Sequence, residues 1–167
     1  MSAITFQQHL WAAFTAQRPE PDDPALRYGG AGRSEDKLRH FTSTPFYQAL
    51  LPETQNILRH IRRVEWLCAP QVDALELYIY LKEVRGNPTT QQLYREVLLG
   101  DIEGKSALEL TTEELERLRA AKAQIEAIEE TLMGVDYPNA IYSLTMGTGK
   151  TILVAAMIFY DFVLSWK

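Results

Sequence analysis

Between Ile152 and Leu164 the chain runs for thirteen residues with one charged interruption, Asp161. A helix carrying this run is apolar nearly all the way round, so it demands protein on several sides. The run is also shorter than the roughly 20 residues that a membrane span needs. What precedes it narrows the choice further. Ala140-Ile141-Tyr142-Ser143-Leu144 is short, apolar and partly β-branched, the pattern of a buried strand. Thr145-Met146-Gly147-Thr148-Gly149-Lys150-Thr151 lies between strand and helix. Strand, glycine loop and helix together open an α/β unit. A parallel crossover then needs a second strand after the helix, and Trp166-Lys167 are the last residues here. The expectation is the start of a larger α/β domain, cut short.

The remainder reads as helix. Ser2 to Gln17 carries Ile4, Phe6, Leu10, Trp11 and Phe14 at three- and four-residue steps. Three prolines (Pro19, Pro21, Pro24) and three glycines (Gly29, Gly30, Gly32) then exclude regular structure, giving a linker over 18–37. Thr44 caps a turn opened by Pro45, and Pro52 opens the next helix. Pro70 starts a third helix with Val72, Leu75, Ile79 and Leu81 inward, ended by Arg85-Gly86-Asn87-Pro88. Thr89 or Thr90 caps a short helix that Gly100 terminates. Residues 101–131 hold nine acidic against four basic side chains. Within them Thr111 and Glu114 have the spacing of a capping box before a long helix running to Gly134. The expected organisation is an N-terminal helix at 1–17, the linker at 18–37, a helical accessory module at 38–136 and the opening of a P-loop domain at 137–167. The fold class is therefore mainly α, followed by the first strand, loop and helix of an incomplete RecA-like α/β domain.

Composition limits the chemistry. With 167 residues, 46% apolar, the chain has enough for one domain and a small appendage. Cys68 is the single cysteine, so no internal disulfide forms, which suits a reducing compartment. The formal charge of −5 makes any nucleic-acid surface local rather than global. The first residues lack the charged and apolar regions of a secretory signal. These features point to the cytoplasm and to no membrane partner. His9, His40 and His60 have no ligand spacing, so no structural metal site is expected.

The glycine loop is the part with chemical meaning. Gly147 and Gly149 let successive backbone N–H groups converge on phosphate oxygens where a Cβ would obstruct them. The first turn of the following helix adds its unpaired N–H groups and its dipole. Lys150 reaches the β- and γ-phosphates, and the Thr151 hydroxyl serves the Mg²⁺ that bridges them. Phosphate-binding residues are therefore Gly147, Thr148, Gly149, Lys150 and Thr151, with Lys150 the catalytic cation and ATP-Mg the cofactor. The competing reading is a glycine-rich turn before a buried helix, with Lys150 merely solvated.

Leu144 stands where the general Walker A motif has its first glycine, and Gly147-Thr148-Gly149-Lys150-Thr151 follows. This pattern resembles motif I of superfamily-two helicases and translocases, most closely the DEAD/DEAH-type ATPases related to the Res subunit of type III restriction enzymes. The resemblance covers Ala140 to about Leu164, and Met146 departs from the threonine usual in the family. It implies a parent that hydrolyses ATP and acts on DNA, restriction- or defence-related, with a modification or other defence subunit as a further partner. The acidic motif, arginine finger and second lobe of such enzymes have no counterpart in these residues, so this chain alone is expected to be hydrolytically inactive. A weaker echo is Cys68-Ala69-Pro70-Gln71, similar to the segment that sets a glutamine on the adenine edge in these helicases; an amide suits adenine because it donates and accepts at once. Arg59, Arg62 and Arg63, beside His60, could touch a nucleic-acid backbone or could form a solvated helix face. The alternative function is a small helical interaction module carrying a P-loop remnant. A complete small P-loop kinase is a third reading, opposed by the missing strands.

Overall fold

The computed structural model describes residues 3–20, 34–100, 109–131 and 149–166. Among these the chain is mostly helical and holds no strand. The expected strand Ala140–Leu144 and the loop residues Gly147 and Thr148 lie outside the described residues. The helices are α1 (Ala3–Gln17), α2 (Ser34–Thr42), α3 (Pro45–Gln48), α4 (Pro52–Val64), α5 (Ala69–Ile79), α6 (Thr90–Leu99), α7 (Thr112–Thr131) and α8 (Lys150–Ser165). A π-helical turn, Tyr80–Val84, continues α5 directly.

Local chemistry accounts for most boundaries. Thr44 accepts the Tyr47 N–H at the start of α3, with Pro45 at the first helical position. Thr89 and Gln92 exchange hydrogen bonds at the start of α6, and Thr111 and Glu114 do the same before α7. Gly100, at φ +46°, ends α6. One expectation needs correcting: α2 begins at Ser34, inside the expected linker. Its first turn carries Glu35 and Asp36 and its last Arg39 and His40, a charge order that complements the helix dipole.

The described helices fall into two compact units. One contains α6 and α7, joined through Leu98, Ala121 and Ile125 with Tyr94 and Leu99 beside them. The other contains the described residues from Trp11 to Gly86 together with α8. Its boundary near Gly86 falls within the expected 38–136 module. The core of this larger unit is aromatic. Phe14 meets Phe46 edge-on at 5.6 Å and Tyr80 at 5.4 Å, and Phe41 meets Tyr47 at 5.2 Å. Such pairs each add about 0.5–1.5 kcal/mol beyond their buried area. Leu58, Leu75, Ile79, Leu153 and Tyr160 complete the core.

Among the described residues, helix α8 packs on α5 and α4. Leu153, Met157, Tyr160 and Leu164 recur at the three- and four-residue spacing that lines one side of a helix, and they meet the core. Ile152, Ile158, Phe159, Phe162 and Trp166 remain exposed, Trp166 at 79%. The apolar character all round this helix is thus satisfied on one side alone by the described residues.

Candidate nucleotide-binding site at the start of helix α8

Gly149 is the N-cap of α8 and adopts the left-handed conformation, φ +66° and ψ +42°. A Cβ there costs roughly 1–2 kcal/mol, so glycine is the residue that takes this turn without strain. Its carbonyl accepts the N–H groups of Ile152 at 3.0 Å and Leu153 at 3.3 Å, starting the helix. No side chain among the described residues caps α8. With Ile152 engaged by the Gly149 carbonyl, the N–H groups of Lys150 and Thr151 are the first-turn donors that have no intrahelical acceptor, and the dipole end there is positive. Lys150 and Thr151 occupy that turn with exposed side chains. A left-handed glycine, an uncapped helix start, an exposed ammonium and an exposed hydroxyl fit a phosphate chain with its magnesium ion. Gly147 and Thr148, also expected in the cradle, lie outside the described residues.

Gln71 comes to this turn from α5. Its side chain is 3% exposed, its Oε1 accepts the Cys68 N–H at 2.8 Å, and its Nε2 donates to the Gly149 carbonyl at 2.8 Å. Gln71, expected from the sequence at an adenine edge, stands 78 positions before Gly149 and meets its carbonyl. Both ends of the amide are engaged by protein, which differs from the adenine-edge role expected of it.

Three further polar ties run along α8, and hydrophobic periodicity had no means to find them. Asp161, the interruption in the apolar run, accepts from Tyr78 Oη at 2.7 Å and Lys82 Nζ at 2.6 Å. Tyr160 donates to Glu83 at 2.9 Å, and Glu83 also accepts from the Leu51 N–H and from the Thr54 hydroxyl. Lys82 and Glu83 follow Tyr78 by four and five residues, and the wider π-helical circuit brings both intervals to one side. These contacts move the titrations. Burial, then the Glu83 charge, raises the Tyr160 pKa far above its usual value of 10.0. Burial also raises Tyr78. For Lys82 burial acts downward, but the hydrogen bonds to Asp161 and Tyr78 prevail and raise it.

The basic residues of α4 do not form one open face. Arg59 is exposed and donates to Tyr47 Oη at 2.8 Å, and Arg63 is exposed one turn later. Arg62 points inward: Nε and Nη2 each lie 2.6 Å from Glu76 Oε1, and the guanidinium lies over Phe41 at 3.9 Å. Arg62 is thereby removed from the expected phosphate-contacting set, because its charge is used inside the protein. Arg18 approaches the same carboxylate at 2.7 Å and Asp73 at 2.8 Å. Burial acts to lower the Arg18 pKa, but the charges of Glu76 and Asp73 outweigh it and raise it. A cleft of about 650 Å³ passes this cluster, lined by Trp11, Arg18, Lys37, His40, Arg62 and Asp73 among others, and does not include Gly149 or Lys150.

Among the described residues no group of three or more His, Cys, Asp or Glu side chains stands together as a metal site. No described helix is long and apolar enough to cross a membrane. Compared with protein-family models, curated proteins and solved structures, the chain matches none.

Proposed function

We propose that this chain supplies the Walker A segment of an ATP-dependent DNA helicase or translocase, similar to the Res subunits of type III restriction enzymes and restriction- or defence-related. In this reading the backbone around Gly147, Thr148 and Gly149 receives the phosphates, Lys150 balances the β- and γ-phosphate charge, and the Thr151 hydroxyl holds Mg²⁺. The metal supplies charge neutralisation between the two phosphates. The observation that carries the reading is the left-handed Gly149 set directly before an uncapped helix whose first residues are an exposed lysine and threonine. The left-handed Gly149 supports this reading, since a helix continuing through Gly149 would withdraw the N–H groups of Lys150 and Thr151. Arg59 and Arg63 are the basic residues of α4 proposed to meet a DNA backbone.

The test is thermal unfolding of the full chain with and without Mg·ATP. At a ligand concentration one hundred times Kd, linkage adds about 2.7 kcal/mol, or about 5–10 °C for a chain of this size. The shift is expected in the wild type and absent in Lys150→Ala. The interaction-module alternative is supported by the exposed apolar side of α8, and it expects no Mg·ATP-dependent shift.

A further inference from the structure

Gln71 joins two segments through opposite ends of one buried amide. Its Oε1 takes the Cys68 N–H and so caps α5, while its Nε2 donates to the Gly149 carbonyl. The contact is close-fitting as well as polar. A Cβ built on Gly149 would lie 2.7 Å from Gln71 Nε2, so the glycine admits the amide as well as the left-handed turn.

We propose that Gln71 is a positioning residue of the nucleotide site, one that fixes the Gly149–Lys150 peptide and does not read the base. This rests on the nucleotide-binding reading above. In a planar trans peptide the C=O and the following N–H point in opposite directions. Holding the Gly149 carbonyl toward α5 therefore aims the Lys150 N–H away from α5, in the direction from which an anion meets the helix start. The constraint falls where the backbone is softest, because glycine has the widest conformational freedom of any residue. The same carbonyl accepts from Ile152 and Leu153, so Gln71 also ties the first turn of α8 to the fixed frame of α5. A base-reading amide, by contrast, must turn both its donor and its acceptor to the ligand. Here both face protein, and 3% exposure leaves no edge for adenine.

The experiment compares the full-length chain with Gln71→Met, which keeps the volume and removes both hydrogen bonds, and with Gln71→Glu. The glutamate retains an acceptor for the Cys68 N–H and loses the donor to Gly149, so it carries the test if the methionine variant fails to fold. Affinities are measured for Mg·ATP, Mg·GTP and Mg·tripolyphosphate, with circular dichroism to verify folding. In the wild type, tripolyphosphate should shift the Lys150 amide resonance. The expected result in folded variants is an equal loss for all three probes, about tenfold, with an unchanged ATP-to-GTP ratio and a weakened Lys150 response. Loss confined to ATP would make Gln71 a base reader and overturn the proposal. Unchanged affinities in folded variants, with Lys150→Ala abolishing binding, would overturn the positioning role alone. A wild-type chain that binds none of the probes would remove the nucleotide reading and this proposal with it.

Discussion

Replacing Glu76 with glutamine withdraws a negative charge from a site sealed off from water. The side chain is 0% exposed and holds Arg18 at 2.7 Å through one oxygen and Arg62 at 2.6 Å through the other. After the substitution Arg18 keeps Asp73 at 2.8 Å as its counter-ion. Arg62 keeps an amide oxygen and the face of Phe41 but, among the described residues, no counter-ion. Removing one partner from a buried pair costs about 3–5 kcal/mol, because the other charge is left uncompensated. The Arg62 side chain is 25% exposed and can turn partly toward water, so the lower end, about 3 kcal/mol, is expected. At roughly 2–4 °C per kcal/mol for a chain of this size, the unfolding midpoint should fall by about 6–12 °C. Urea and thermal denaturation followed by circular dichroism measure this directly. A triple variant with methionine at Arg18, Arg62 and Glu76 removes both signs of charge together and should lie within about 1 kcal/mol of wild type. A Glu76→Gln protein as stable as wild type, or a triple variant as damaged as the single one, would refute the reasoning.

Gly149→Ala should cost about 1–2 kcal/mol from the left-handed backbone alone, and the new Cβ must also displace the Gln71 amide; an unchanged urea midpoint would count against the described turn. Alkali should destabilise the fold. Tyr78, Lys82 and Tyr160 all have raised pKa values, so above about pH 10 the folded chain binds more protons than the unfolded one. Their contribution is fully present below that pH and is lost as pH rises through the raised values, which urea midpoints at increasing pH will follow; a flat profile contradicts the ties. Introducing glutamate at both Phe159 and Phe162, each exposed on α8, should reduce concentration-dependent self-association and dye binding while leaving helicity intact. Sedimentation across a concentration series decides this, and unchanged association would place the sticky surface elsewhere.

Much of the helical framework was legible because its signals are local. Thr44 before Pro45 and Thr111 with Glu114 each act within four residues and form the cap that the spacing implies, and of the two threonines open at the next helix start Thr89 is the cap, with Gln92. Leu75 and Ile79 are buried as the apolar pattern requires, whereas Val72 and Leu81 are only partly so. The polar interior was not legible. Gln71 and Glu76 lie on the same helix among the most buried residues, and a hydrophobicity pattern assigns both to solvent. Their burial depends on partners far along the chain: Arg18 for Glu76, Gly149 for Gln71. Asp161 likewise reads as a flaw in an apolar run until Tyr78 and Lys82 are brought beside it. At the candidate site, the glycine, lysine and threonine are proposed from their order in the sequence. What order alone does not specify is that an amide from α5 holds the Gly149 carbonyl.

Calorimetric titration of the full chain with Mg·ATP, alongside Lys150→Ala, addresses the nucleotide-binding claim most directly. Saturable one-to-one binding is expected for the wild type, competed by Mg·tripolyphosphate and lost in the alanine variant because the cation proposed to face the β- and γ-phosphates is gone. Equal heats and equal affinity for the two proteins, or no binding by either, would contradict that claim.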